Sequence, residues 1–180
     1  HDIIIPGREK IGDNLLTNPS MEAEIDGDGL PDGWYASGKY NPEGYDIDTA
    51  SVQLDDSKAS SGKRCVRLIK KPKSNSTVSL RQRFNVTPGN TYRMKLKYQT
   101  KITSGAPVII FTKFDKDGVE LGHAGSARGL NVTGDKWRTL SADTQVGKDT
   151  AQLMVEFLFY DDQASGVAWV DDFTCAKVGK

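Results

Sequence analysis

The residues best suited to chemistry lie between Asn14 and Trp34, in the stretch NLLTNPSMEAEIDGDGLPDGW. Five carboxylates, Glu22, Glu24, Asp26, Asp28 and Asp32, fall within eleven residues. That density repels itself in water unless a cation sits among the oxygens. A hard ion such as Ca²⁺ suits it, because it takes ligands from carboxylates and backbone carbonyls. The same composition also fits a solvated acidic turn held open by Gly27, Gly29 and Gly33. The stretch closes on two adjacent aromatics, Trp34 and Tyr35.

Catalytic chemistry has little to work with. The histidines are His1 and His123. His123 sits in a glycine-rich segment, LGHAGSARG, which reads as a surface loop. No nucleophile elbow, His-Glu-x-x-His or phosphate loop is present. The carboxylate pairs Asp161-Asp162 and Asp171-Asp172 are sequence neighbours, and neighbours on a strand point to opposite faces, so neither pair makes an acid/base couple. A basic strand face with a tyrosine base keeps a lyase as a minor alternative.

The elements that must position these groups are strands. Ser51–Leu54, Arg64–Lys70, Val78–Val86, Thr91–Lys101, Pro107–Phe114, Trp137–Leu140, Thr150–Tyr160 and Val167–Val178 read as strands. In Thr91–Lys101, Tyr92, Met94, Leu96 and Tyr98 share one face, and Arg93, Lys95, Lys97 and Gln99 share the other. Thr150–Tyr160 is apolar on both faces, as a central strand is: Leu153, Val155, Phe157 and Phe159 on one, Met154, Glu156, Leu158 and Tyr160 on the other. Thr87–Asn90 and Asp115–Gly118 are turns, the second a hairpin. Gly122–Gly134 reads as irregular. No segment has helical periodicity. Many strands with regular turn chemistry predict an all-β antiparallel β-sandwich.

At 180 residues the chain is one domain, residues 14–180, preceded by a linker or extension, residues 1–13. His1-Asp2 reads as a processing boundary, at which removal of a leader is one expectation. Formal net charge is zero, so nucleic acid and anionic membranes are not expected partners. A monomer is expected. Cys65 and Cys175 could form one disulfide or be two small buried residues.

NLLTNPSMEAEIDGDGLPDGW resembles the opening of the β-sandwich carbohydrate-binding modules of the family 4, 9, 16 and 22 group, with Met21-Glu22 standing where Phe-Glu is usual. Further matches follow in order: Ser61–Arg64 leading into Cys65–Leu68, Gln82–Tyr92, the Phe114–Gly118 turn, Trp137, and Trp169-Val170-Asp171-Asp172-Phe173. The resemblance spans residues 14–180. It implies a jelly-roll sandwich of the galactose-binding-domain kind. It also implies a non-catalytic module that targets a secreted bacterial polysaccharide-degrading enzyme, whose catalytic domain shares the polypeptide. A structural or adhesive domain of a cell-surface protein is the alternative.

The resemblance further implies a structural Ca²⁺ bound by Glu22 and Asp171, with Asp172 the alternative ligand, and by backbone oxygens around Ser20, Ser61 and Arg64. It puts Trp34 first as a sugar platform and Tyr35, Tyr40, Tyr45 and Tyr160 second. It also aligns Gln82 with a position that hydrogen-bonds sugar. Trp137 and Trp169 are expected in the core. Arg81, Arg83, Arg93, Lys95, Lys97 and Lys113 would form one basic stripe, with Gln99 beside it. Such a stripe is either a solvated face or a surface for an acidic polysaccharide.

Overall fold

A computed structural model of the chain describes residues 14–37, 50–71 and 78–179. The proposed linker, residues 1–13, lies outside them, as do Tyr40 and Tyr45. The described residues form eight strands: β1 (Tyr35–Ser37), β2 (Ala50–Asp55), β3 (Cys65–Lys70), β4 (Ser79–Asn85), β5 (Thr91–Phe114), β6 (Glu120–Arg128), β7 (Arg138–Gln145) and β8 (Gln152–Val178). Every pairing between them is antiparallel.

Two long strands organise the molecule. β5 and β8 pair along their whole lengths, from Thr91↔Val178 to Phe114↔Gln152. Each merges two strands expected from the sequence, because the ladder continues through its irregular middle with register shifts around Ser104. Gly105 and Gly166, both at positive φ, sit in that middle. The two halves then take different neighbours. The Gln152–Leu158 half of β8 pairs with β4, which pairs with β1, and the Val108–Phe114 half of β5 pairs with β6. The Gly166–Val170 part of β8 pairs with β3, which pairs with β2, and the Thr91–Tyr98 half of β5 pairs with β7. We call these groups the first and second layer.

The inner faces of both layers meet in one apolar cluster. Leu80, Ile109, Phe111, Leu153, Val155 and Phe157 come from the first layer, and Val66, Leu68, Met94, Leu96, Ala168 and Val170 from the second. Period-two alternation makes this possible: in β4, Leu80 and Gln82 turn inward while Arg81 and Arg83 turn outward. The sandwich expected from the alternating strands is the fold observed.

Two expectations change, and one open alternative is decided. The segment after Gly122 is not irregular: residues 120–128 form β6, an edge strand whose ladder to β5 needs backbone groups rather than apolar side chains. The basic stripe does not exist as one surface, because the Thr87–Asn90 turn carries the chain from the first layer to the second. Arg81 and Arg83 therefore lie on one layer, and Arg93, Lys95 and Lys97 on the other. Arg93 is clamped bidentately by Asp143 (2.8 and 3.0 Å), Lys97 donates to Thr139 Oγ1 (2.7 Å), and Lys113 shares the register of core-facing Leu153. Finally, Cys65 and Cys175 are both free and buried, and burial pushes the Cys65 thiol up to about 12.

Candidate functional site: a carboxylate knot and an open sheet face

The acidic opening segment is divided between two places. Its first part docks on the second layer. Asn18 and Met21 adopt positive φ, which folds the chain tightly around Pro19, and the Pro19 carbonyl accepts the Phe173 N–H (2.9 Å). This brings Glu22 to the loop between β2 and β3. Its Oε1 accepts the backbone N–H groups of Lys63 (2.9 Å) and Arg64 (3.2 Å). Gly62, at φ +65°, leaves the space the carboxylate fills, since a Cβ there would clash with it.

The same loop folds over the outer face of β8 and buries Asp171 completely. Asp171 Oδ2 accepts from Ser60 N (2.8 Å) and Ser61 N (3.2 Å), and Oδ1 accepts from Asp172 N (2.8 Å). Ser61 Oγ donates to Asp172 Oδ1 (2.5 Å). Burial pushes the Asp171 carboxyl up to about 6, against the lowering effect of these N–H donors. No cationic side chain pairs with it among the described residues. The structure thus brings Glu22, Ser61, Arg64, Asp171 and Asp172 onto one loop, with Ser20 near it only by its place beside Pro19 and Met21. A fully buried carboxylate without a cationic partner is the donor chemistry that suits a hard cation.

The second part of the segment, Glu24, Asp26 and Asp28, places three carboxylate oxygens within 4.8 Å of one another at the surface. Glu24 Oε1 accepts Gly27 N (2.6 Å) and Asp26 Oδ1 accepts Asp28 N (3.0 Å), so the turn organises itself. Beside it lies a depression of about 150 Å³ lined by Asp26, Asp28, Pro31, Trp34, Tyr35 and others.

The sugar-contact candidates separate sharply. Trp34 is no platform: it is 3% exposed, tilts against Phe173 at 5.1 Å between centroids, and donates Nε1 to the Asn18 carbonyl (3.0 Å). Replacing it with phenylalanine should cost about 1–2 kcal/mol in chemical denaturation, the value of a buried hydrogen bond lost with part of the ring, and leave ligand affinity unchanged. Gln82 is equally occupied. At 5% exposure it accepts from Thr17 N (2.7 Å) and donates to the carbonyls of Thr17 and Gly33 (both 3.0 Å), which rivets the opening segment to β4. Gln99 is buried between Lys58 and the Asp135 carbonyl. Lys97 lies on the second layer, away from Arg81. Trp137 and Trp169 are partly exposed rather than core residues.

What remains open is the outer face of the first layer. Tyr35, 66% exposed, stands opposite Arg81. Arg81 stands opposite Glu156, Glu156 opposite Ile110, and Ile110 opposite Ser126, giving one row across five strands. Rows on either side contribute Leu158, Val108 and Arg128, and Arg83, Met154, Thr112 and His123. Tyr160 ends this half of β8, paired with Ala106 in the ladder. Arg83 is occupied, lying 3.6 Å over the Phe114 ring and bonding Gln152. Arg81 and Glu156, by contrast, are partly buried and opposite in charge, yet neither forms a hydrogen bond or ion pair among the described residues. Sequence reading placed Glu156 on a strand face but not in the site. Its signal was a lone carboxylate in a central strand that is otherwise apolar on both faces.

The fold is that of the β-sandwich carbohydrate-binding modules. Among solved structures, the CBM22-1 xylan-binding domain from Paenibacillus barcinonensis Xyn10C superposes with a TM-score of 0.59 at 18% identity, over 96% of this chain and 99% of that one. TmCBM61 in complex with β-1,4-galactotriose gives 0.56 at 17% identity, over 92% and 99%. The enzymatically active domain of bacteriophage CBA120 tailspike protein 4 gives 0.64 at 12% identity, and the match spans only 21% of that chain. No protein-family model matches the chain, and no curated protein matches it in sequence.

Proposed function

We propose that this chain is a non-catalytic carbohydrate-binding module whose ligand lies across the outer face of the first layer. The observation that carries this reading is the row Tyr35, Arg81, Glu156: an exposed aromatic ring beside two unpaired, opposite charges on a flat sheet face. The ring offers an apolar surface to the C–H face of a sugar. Arg81 donates to hydroxyl oxygens, and Glu156 accepts from hydroxyl hydrogens. The aliphatic side chains Ile110, Leu158, Val108 and Met154 exclude water between these polar groups. Within this row the one charge of each sign suits a neutral glycan. The xylan-binding and galactotriose-bound neighbours support the class of ligand.

Such a module acts by holding a secreted enzyme on its polysaccharide, so that each catalytic encounter becomes effectively intramolecular. A panel of soluble neutral polysaccharides in affinity electrophoresis tests this. Retardation by at least one of them is expected. A folded protein that none retards would remove the reading.

Calcium in the knot is part of the proposal: Glu22 and Asp171 would hold it, with Asp172 and loop carbonyls completing the oxygen shell. The pH dependence follows. The Asp171 carboxyl titrates near 6 when folded and near 3.8 when unfolded. Folding therefore favours its protonated form, and the stability this contributes is complete below pH 3.8 and lost as pH rises through 6. In chelator, the wild type should lose on the order of 2–3 kcal/mol relative to Asp171→Asn between pH 4 and pH 7. Added Ca²⁺ should restore the wild type at pH 7 and leave Asp171→Asn unmoved. Identical pH profiles for the two proteins would refute the buried-charge account.

A further inference from the structure

The opposite side of the sandwich carries a second constellation that the first-layer site does not use. On the outer face of the second layer, Gln53, Arg67, Trp169 and Gln99 form one row across β2, β3, β8 and β5. The adjacent row contributes Ile69, Val167 and the exposed Lys101. Trp169 was expected in the core, but strand alternation turns it outward, between buried Ala168 and Val170.

Its surroundings are built rather than incidental. Asp55 Oδ2 accepts the indole Nε1–H (3.1 Å) and lies 3.6 Å from Arg67 Nη1, which fixes the ring and the guanidinium relative to one another. Lys58 Nζ lies 3.8 Å from the Trp169 ring centroid and 3.2 Å from Gln99 Oε1. Arg67 Nε is buried and has no hydrogen-bond partner. The indole is thus flanked by Lys58 and Arg67, with Lys101 on the adjacent row and Asp55 and the buried Asp171 as counter-charges, and one guanidinium donor is unspent.

We infer that this face is a second binding site, for an acidic sugar whose ring stacks on Trp169 while its carboxylate or sulfate pairs with Lys58 and Arg67. Lys58 holds the ring face through a half-buried cation–π contact, which is weaker than a charge-assisted hydrogen bond. An anionic ligand draws the ammonium off the ring towards itself, uncovers the indole, and gives Arg67 the acceptor it lacks. The loop that carries Lys58 is anchored by Asp171 through Ser60 and Ser61, so the lysine is delivered from a fixed base. The acidic polysaccharide suggested by the expected basic stripe is thereby assigned to the second layer, with a neutral glycan on the first. The two sites stand or fall separately.

The test is affinity electrophoresis of the folded chain in polygalacturonate and in dextran sulfate, at about 20 mM and about 300 mM salt. Retardation in at least one polymer at low salt, lost at high salt, is expected. The polymer that retards the chain identifies the anion as carboxylate or sulfate. Lys58→Glu and Lys58→Gln should each weaken it about tenfold or more. Lys148→Glu, the same charge change at an exposed loop position, should leave it nearly unchanged. Lys58→Glu should not alter binding of a neutral glycan. Absence of retardation in both polymers at low salt, or an equal loss in Lys58→Glu and Lys148→Glu, would overturn the proposal.

Discussion

Gly62→Ala should destabilise the domain by about 4 kcal/mol, while Gly27→Ala, also at a positive-φ glycine, should cost about 1 kcal/mol. The backbone penalty is shared: an alanine held near φ +65° or +77° loses roughly 1 kcal/mol relative to glycine. The difference lies in what the new methyl meets. Around Gly27 there is nothing within 4 Å. At Gly62 the methyl would occupy the position of the Glu22 carboxylate. Expelling that carboxylate removes the acceptor from the Lys63 and Arg64 N–H groups, and hydrogen bonds to a charged group are each worth about 1.5–3 kcal/mol. Urea unfolding gives both numbers. The route through Glu22 has its own check. In the Glu22→Ala background, Gly62→Ala should cost only its backbone share, a non-additivity of roughly 2–3 kcal/mol in the double-mutant cycle. Simple additivity would show that Gly62 acts on something other than Glu22.

The largest effect on binding is expected at Glu156. Removing its carboxylate takes away a charged acceptor that no protein group uses, so the folded state should lose little while the complex loses a charge-assisted hydrogen bond. Glu156→Ala should therefore weaken the neutral glycan by about 10- to 100-fold, equivalent to about 1.5–3 kcal/mol, with urea unfolding shifted by no more than about 0.5 kcal/mol. Tyr35→Ala should weaken it by about tenfold through loss of the stacking surface, again without destabilisation, because the ring is mostly exposed. Affinity electrophoresis or calorimetry with the best polymer of the panel measures both. Undiminished affinity in both variants would place the ligand elsewhere on the chain.

Charge also sets the character of the two faces. The first-layer row holds one arginine and one glutamate, so its ligand affinity should respond weakly to salt. The Trp169 face holds Lys58, Arg67 and Lys101 against Asp55 and the buried Asp171, so it is net cationic and its response should be steeper.

How much of this was legible beforehand depended on the kind of information each feature carries. The strands were visible because a sheet half in the core writes a period of two into the chain: Tyr92, Met94, Leu96 and Tyr98 needed no tertiary information to be assigned to one face. The hairpin at Asp115–Gly118 was equally local. Asp115 Oδ1 accepts the N–H groups of Asp117 and Val119, an arrangement fixed by five consecutive residues. The knot was expected only through its resemblance to known modules, because nothing local links Glu22 to Arg64 or Ser61 to Asp171.

Where side chains end up relative to other strands was not legible. Trp34 and Trp169 illustrate this from opposite directions. Trp34 follows a glycine-rich acidic loop and looked exposed, but the turn at Asn18–Met21 folds the segment inward and seats the indole on Phe173. Trp169 ends an apolar run and looked buried, but its parity on β8 turns it to the outside. The basic residues of β4 and β5 looked like one stripe because consecutive strands are usually neighbours, and only the pairing pattern shows that they belong to different layers. The sequence by itself determined strand positions, turn chemistry and which side chains alternate, because these are set by interactions a few residues apart. The tertiary structure alone decided which strands are adjacent, which aromatics are exposed, and which opposite charges are left unpaired, because those depend on contacts between residues up to 161 positions apart, as between Asn14 and Cys175.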